Sequence, residues 1–324
     1  MQKDLFNNDM PAKPFLKWAG GKKQLIKEIE SRLPQEIKDS KKIDKYFEPF
    51  VGGGAVYFYL MANYKVKKSY LYDVNKELIL TYNVIKFNPK ELIEELKGLS
   101  EEYLPKKNDK RSEFFYNIRN SFNENLKTFD FENYDESHAK RAAQIIFLNK
   151  TCFNGLFRVN RNGEFNVPFG RYKNPKILDK DNIISVSKVL KDTEIVCSSY
   201  EKSKKLIDEN SLVYLDPPYR PLSNTSYFNN YSEFAFNDHE QIKLSEFYKE
   251  ISLKGAKVIM SNSDPKNENK DDNFFDDIYN DFNIDRVLAK RSINANGENR
   301  GNISELIIYN YDIWIKNLYI VLYS

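Results

Sequence analysis

Two neighbouring stretches, KYFEPFVGGGAVYFYL (Lys45 to Leu60) and SYLYDVNKELILTYNVIK (Ser69 to Lys86), limit what this chain can fold into more than any other part of it. The first reads as a short strand, a glycine turn and the start of a helix. The second reads as a strand ending on an acid, Asp73, followed by another helix. Strand, glycine turn, helix, strand, acid is the order of a nucleotide-binding βαβ half. Strand patterns resume at TEIVCSSY (Thr193 to Tyr200), SLVYLDPPY (Ser211 to Tyr219), GAKVIMSNS (Gly255 to Ser263) and SELIIYNY (Ser304 to Tyr311), so the expected class is α/β with a Rossmann-like sheet.

Between the two blocks of strands the text changes. From Asn88 come Lys- and Glu-rich helical stretches, then FLNKTCFNGLFRVNRNGEFNVPFGRYKNP (Phe147 to Pro175), dense in Asn, Gly, Arg and aromatic residues. This is poor material for a sheet core and good material for a recognition surface. The expected organisation is an α/β domain in two parts, residues 1–87 and 181–324, interrupted at residues 88–180 by a mainly helical insertion. Such an insertion, roughly 90 to 100 residues, has the size of a small domain. No repeat of solenoid length is visible, and SDPKNENKDDNFFDD (Ser263 to Asp277) reads as a polar surface loop.

Composition narrows the function classes. With 50 Lys and Arg against 47 Asp and Glu the chain carries only +3, so any nucleic-acid surface must be a local concentration of basic residues. Two cysteines, Cys152 and Cys197, and two histidines, His138 and His239, offer neither a disulfide framework nor a zinc-ligand spacing, and no metal is expected. The start MQKDLFNNDM lacks an apolar signal core, and no apolar run approaches the ~20 residues that span a bilayer. The closing IWIKNLYIVLYS is apolar but short and broken by Lys316, which suits a terminal strand or packed tail better than an anchor. A soluble, reduced, cytoplasmic protein without membrane contact is expected.

The glycine turn Gly52-Gly53-Gly54 taken alone fits a mere tight turn as well as a ligand site, and it lacks the spacing of a dinucleotide fingerprint or a P-loop. Asp73, about 20 residues on, suits a ribose diol, or equally a helix cap for the segment starting at Val74. Near the start, PFLKWAGGKKQLI (Pro14 to Ile26) has a second glycine pair flanked by Trp18 and Lys22. Two glycine turns and an acid in register suit a cofactor with an adenosine at one end and an amino-acid carboxylate, met by Lys22, at the other.

In SLVYLDPPY the two prolines forbid helix and ladder continuation, so the backbone turns out at the strand's carboxyl end, where open α/β sheets bind ligands. An aromatic amine such as adenine's is a poor nucleophile because its lone pair is delocalised. Asp216 can accept one amine hydrogen and the carbonyl of Pro217, held outward by Pro217-Pro218, the other. Both acceptors favour a pyramidal nitrogen. Tyr219 offers a flat face for a base taken out of a duplex. The plain alternative is a turn that only ends a strand.

FLKWAGGK, FEPFVGGGAVYF, DVNKELI, DPPY and GLFRVNRNGEFNVPFGRYKNP occur in this order, and together the chain resembles the bacterial Dam family of DNA adenine methyltransferases, the D12 class or alpha group. The resemblance runs from Pro14 to Tyr311. It implies S-adenosylmethionine as cofactor, with S-adenosylhomocysteine as product, and methylation of adenine in duplex GATC by base flipping and direct transfer. Trp18, Ala19, Gly20 and Lys22 would meet the methionine part. Glu48, Phe50, Gly52 and Gly54 would line the cofactor pocket, Asp73 would hold the ribose, and Ser199 and Tyr200 would lie along the adenine. Asp216 would serve both cofactor and catalysis beside Pro217, Pro218 and Tyr219.

For DNA the resemblance implies Lys17 on a guanine, Arg158 as a base reader, and Phe153 or Asn154 in base extrusion, with Leu156 and Pro168 on bases. Asn160, Arg171 and Tyr172 complete the expected DNA-binding set. A bidentate Arg–guanine pair gives Arg158 a physical reason, worth roughly 1–3 kcal/mol against a wrong base. Arg161, Arg171 and Lys173 suit phosphates better. Relatives often carry an acid near Ser198 or Ser199 and sometimes Tyr at the position of Phe153; here the strand has serines and the ring lacks a hydroxyl. The loop RPLSNTSYFNNYSEFAFNDHEQ after DPPY follows the family in its PLSxTSxF start and suits a cover over the flipped base. Partners implied are double-stranded DNA and, for a restriction-modification role though not for a housekeeping one, a cognate restriction endonuclease, with the chain a monomer or weak dimer. Rival functions are cytosine amino-methylation, RNA methylation, and DNA binding by a vestigial methyltransferase; a purely structural α/β protein leaves the coincident motifs unexplained.

Overall fold

A computed structural model of the chain describes residues 10–18, 22–220, 236–290 and 302–313. Among these, the strands are β1 (Lys42–Glu48), β2 (Lys65–Asp73), β3 (Thr193–Cys197), β4 (Ser211–Leu215), β5 (Lys257–Ser263), β6 (Asn283–Lys290) and β7 (Asn302–Tyr309). They form one sheet in the order β3-β2-β1-β4-β5-β7-β6. The first five are parallel, whereas β7 runs antiparallel to both β5 and β6. Every residue of β4 is buried, as expected for a parallel strand at the centre of a sheet covered on both sides.

Side-chain parity assigns the two faces. Tyr46, Leu212, Tyr214, Ile259, Ile307 and Tyr309 join one apolar cluster. Their chain neighbours Phe47, Val213, Leu215, Val258, Met260, Leu306 and Ile308 join a second. Helices α1 (Ile26–Ser31), α2 (Gln35–Ser40), α3 (Ala55–Asn63), α4 (Lys76–Phe87), α5 (Pro89–Tyr103), α6 (Asn108–Glu124), α7 (Glu136–Thr151) and α8 (Lys180–Leu190) come before β3 or between the first strands. Buried residues of α3, α4, α5, α7 and α8 belong to the first cluster, so the helices of the expected insertion share a core with the sheet. The second face is covered by α9 (Asp238–Leu253), whose buried Leu244, Phe247, Tyr248 and Ile251 have helical spacing, and by Phe275 of α10 (Phe274–Ile278). No helix among the described residues is long and apolar enough to cross a membrane.

The insertion is tied to the sheet by a buried ion pair. Arg141 on α7 donates from Nε to Glu77 Oε1 and Oε2 on α4 at 3.0 and 2.9 Å, and Nη2 closes a third contact. The guanidinium lies 4.2 Å from the Phe122 ring centroid and 4.6 Å from that of Phe129. After α7 the chain to α8 has a single turn of 3-10 helix at Phe153–Gly155 and two antiparallel bridges, Cys152 with Phe169 and Val159 with Phe165.

Two readings of the sequence change, and one strand goes unread in it. Asp73 does not cap the following helix: α4 starts at Lys76 and its cap is Asn75, whose side chain accepts from the Leu78 N–H. The polar stretch Ser263 to Asp277 is not merely a surface loop, because Asp264 and Phe275 are buried and α10 starts within it. Strand β6 had no strong apolar signal. It lies at the sheet edge with Val287 buried and Leu288 exposed, so its half-polar pattern hid it.

Candidate active site and nucleic-acid surface

Three adjacent parallel strands end on acids. Glu48 closes β1, Asp73 closes β2, and Asp216 follows β4 directly. Strand order reverses between β1 and β4, which opens the crevice where doubly wound sheets bind ligands. Asp73 accepts the Gly52 N–H on Oδ2 at 3.1 Å and the Asn75 N–H on Oδ1 at 2.9 Å. Burial nonetheless raises its carboxyl above the ordinary range. Glu48 is 2% exposed and accepts the Tyr46 hydroxyl at 2.7 Å. Burial pushes its carboxyl up to about 8, with the charge of Asp216 adding to the rise. Among the described residues Glu48 has no cationic partner, so a cationic ligand suits this end of the crevice.

The glycine turn is built for close approach. Gly52 and Gly54 have φ of 47° and 67°, conformations costly for other residues. A Cβ on Gly52 would lie 2.7 Å from Trp18 Cδ1, and one on Gly54 would lie 2.6 Å from the Tyr82 hydroxyl. Trp18 thus lies against the turn, and its ring stacks on Phe157 of the insertion at 5.2 Å. Phe50 lies 5.3 Å from the Tyr200 ring and 5.8 Å from that of Phe236, the three rings forming an aromatic group.

Asp216 sits among partners from distant segments. Its Oδ1 accepts Lys22 Nζ at 3.0 Å and the Ser261 hydroxyl at 3.2 Å. The Lys22 ammonium is also 4.1 Å from the Tyr219 ring centroid, while the Tyr219 hydroxyl donates to Glu305 at 2.7 Å. Burial raises the Asp216 carboxyl, and Lys22 and Ser261 oppose that rise. The Pro218 carbonyl accepts Gln241 Nε2 at 3.1 Å, and Gln241 in turn accepts from Asn262 Nδ2 at 3.1 Å. Gln241 and Asn262 are fully buried, so this amide relay fixes the Asp-Pro-Pro-Tyr backbone from behind.

The chain between α7 and α8 presents a different surface. Phe153 is 53% exposed, and Asn154 and Arg171 take φ of 56° and 55°. Arg158 is exposed and held by Nε to Asn166 Oδ1 at 2.8 Å. Asn160 holds the hairpin tip: its Oδ1 accepts the N–H groups of Asn162 and Glu164 at 2.9 and 3.0 Å. Buried Asn149 accepts the Lys17 N–H and donates to the carbonyls of Lys17 and Gly155, all at 2.9 Å, which joins the start of the chain to this loop. Lys17 Nζ lies 5.4 Å from the Tyr172 ring. Leu156 is half-buried against the core and Pro168 is exposed, its carbonyl accepting the Phe153 N–H at 2.8 Å.

A family model for the D12 class N6 adenine-specific DNA methyltransferases matches residues 18–293. The chain belongs to this family. It is 50% identical over 303 residues to type II methyltransferase M.MjaIII of Methanocaldococcus jannaschii, covering 93% of this chain and all of that one. It is 38% identical over 309 residues to type II methyltransferase M1.LlaDCHI of Lactococcus lactis subsp. cremoris, with 95% and 98% covered. A DNA adenine methylase of Escherichia coli is 33% identical over 293 residues, with 90% and 93% covered. The chain is therefore an adenine-specific DNA methyltransferase, and its family uses S-adenosylmethionine as methyl donor.

The residues present suit that donor: a buried carboxyl at Glu48 that has no cationic partner among the described residues, and a carboxylate at Asp73 aligned by backbone N–H groups. Of the expected cofactor residues, Trp18, Gly52, Gly54 and Asp73 come together around the turn, Phe50 and Tyr200 pack on each other, and Glu48 ends the strand between those of Asp73 and Asp216. Ser199 is half-exposed and donates to Glu201 at 3.2 Å. Lys22, expected at a cofactor carboxylate, bonds Asp216 at the same crevice. Ala19, Gly20, the 221–235 loop after DPPY and the tail beyond 313 lie outside the described residues. Sequence reasoning passed over Ser261, Glu305, Gln241, Asn262 and Asn149. The polar SNS ending of the β5 run and the lone acid opening LIIY were the available signals.

Proposed function

We propose that this methyltransferase acts on the exocyclic amine of adenine within duplex GATC, extruding the base and transferring the methyl group directly. The grouping of Asp216, Lys22, Ser261 and Tyr219 at the mouth of the β1–β4 crevice carries the transfer chemistry of this reading, and GATC as the site rests on the resemblance of the 147–175 stretch. S-adenosylmethionine supplies the methyl group on a sulfonium and leaves as S-adenosylhomocysteine. Trp18, Lys22, Glu48, Phe50, Gly52, Gly54, Asp73, Ser199 and Tyr200 would hold it, with the carboxyl of Glu48 toward its cationic part and Asp73 toward the ribose.

Asp216 accepts one amine hydrogen and the Pro217 carbonyl the other, which localises the nitrogen lone pair for attack. The Gln241–Pro218 bond supports this by keeping the prolyl backbone from turning. Asp216 has further acceptor capacity beside its bond from Lys22, and Lys22 would also lie toward the cofactor's carboxylate in the loaded protein. Tyr219 stacks on the extruded ring. Burial keeps the thiol of Cys152 up at about 11 and also raises that of Cys197, which supports transfer without a cysteine adduct.

Residues 88–180 serve as the target-recognition unit. Arg158 reads a base in the major groove and Lys17 a guanine, with Leu156 and Pro168 on neighbouring bases. Phe153 or Asn154 fills the space left by the adenine, and Asn160, Arg171 and Tyr172 support or contact the backbone. The type II names of two relatives support a cognate endonuclease as partner. The test is transfer of labelled methyl into two matched duplexes, one with GATC and one with those four bases scrambled, beside Asp216→Ala. Label only in adenine of the GATC duplex, lost in the variant by a factor of about 10²–10³ or more, is expected. Equal label in both duplexes would discard the GATC assignment, and an active Asp216→Ala would discard the catalytic one.

A further inference from the structure

β7 runs against the parallel strands, so its first residues lie at the same edge as the carboxyl ends of β1, β4 and β5. Glu305, opposite Ser263 of β5, is thereby brought to the catalytic edge, where it accepts the Tyr219 hydroxyl at 2.7 Å. The backbone beside it is fixed independently. Asn267 accepts the Ser304 N–H at 2.9 Å and donates to the Ser304 carbonyl at 2.7 Å. The Glu305 side chain is therefore not what holds β7 in place. Tyr219 has the Lys22 ammonium over its ring and Glu305 at its hydroxyl, and these two contacts, at the ring face and at the ring's far end, fix its plane relative to Asp216.

We propose that Glu305 is a positioning residue for methyl transfer: by accepting the Tyr219 hydroxyl it orients the ring on which the target base stacks. This rests on the catalytic reading of Asp216 and Tyr219 given above. The groups facing Asp216 are Lys22 from the segment before α1, Glu48 from β1, Tyr214 from β4, Tyr219 and Glu305, with Ser261 from β5 as a neutral donor. Glu305 adds to the rise of the Asp216 carboxyl, so its removal lets Asp216 ionise at lower pH.

The test is a double-mutant cycle on kcat with duplex DNA, joined to a pH profile. Tyr219→Phe and Glu305→Leu should each lower kcat about tenfold, the loss of one charge-assisted hydrogen bond, without changing the KM for S-adenosylmethionine. The double variant should be no slower than the slower single one. Glu305→Gln keeps an acceptor for the phenol, so it should lose less than Glu305→Leu, and the acid limb of its pH profile should move to lower pH. Losses that multiply in the double variant, or an acid limb for Glu305→Gln that coincides with the wild type, would overturn the proposal. Should Glu305→Leu fail to fold, Glu305→Gln takes its place in the cycle with Tyr219→Phe, with the same non-additivity expected and the same multiplication of losses overturning the proposal. Activity surviving in Asp216→Ala would instead indict the underlying catalytic reading, an outcome this cycle does not produce.

Discussion

The edge of the sheet and the loop after α7 both carry polar residues, but they hold them in opposite ways. At the sheet edge Glu48, Asp73 and Asp216 are anchored at strand ends, half or fully enclosed, and their carboxyls are pushed up by burial. In the loop Phe153, Arg158 and Arg171 are exposed, and the chain is shaped by side chains bonded to its own backbone, as at Asn160. Groups that must act on a reacting atom gain from low dielectric and fixed geometry. Groups that must meet varied DNA surfaces gain from exposure and full charge. Substitutions at the first region should therefore change turnover and pH behaviour, and those at the second should change discrimination and salt dependence.

The joint between the regions should give the largest effect. Glu77→Ala leaves Arg141, 2% exposed, without its carboxylate between aromatic rings. Denaturant unfolding should show a loss of about 3–5 kcal/mol, the cost of stranding one partner of a buried pair. A loss within the range of an exposed pair would mean that the insertion does not depend on this joint.

A smaller effect depends on pH and is confined to the sheet edge. The Glu48 carboxyl is held up to about 8 in the folded chain, against an ordinary value near 4.5. The folded state thus keeps a proton that the unfolded chain releases, so this group's contribution to stability declines as pH rises from about 4.5 to about 8 and is level above. Unfolding of Glu48→Gln without ligand should lack that part of the decline. An unchanged slope would show that the folded chain already ionises Glu48 near its ordinary value.

The smallest effect is expected on the loop's charges. Lys173→Ala should reduce the salt slope of DNA affinity by about one unit and weaken binding to matched and scrambled duplexes alike. Unequal weakening would move Lys173 from phosphate contact to base reading.

Much of the sheet edge was legible because its signals are local. The run from Leu212 to Leu215 followed by Asp-Pro-Pro-Tyr can only be a buried strand that turns out, and the glycine turn at residues 52–54 precedes a strand ending at Asp73. What escaped was supplied by residues distant in sequence. Glu305 reaches Tyr219 only because β7 is reversed, Gln241 reaches Pro218 from a helix on the opposite face, and Lys22 finds Asp216 across the crevice. Asn149 carries no local signal for its role, yet it bonds Lys17, 132 residues earlier in the chain, as well as the nearby Gly155. Local pattern placed the strand ends; pairing across the sheet decided which side chains meet there.

The division between a fixed chemical edge and an exposed reading surface is tested most directly by Arg158→Ala in single turnover at saturating enzyme. Methyl transfer would be followed into a GATC duplex and into one with a single base pair of the site changed. The account predicts a transfer rate on GATC within several-fold of the wild type and a discrimination ratio reduced by about 1–3 kcal/mol. Equal loss of rate on both duplexes, with the ratio unchanged, would contradict it, since Arg158 would then serve the chemistry or the fold and not the choice of site.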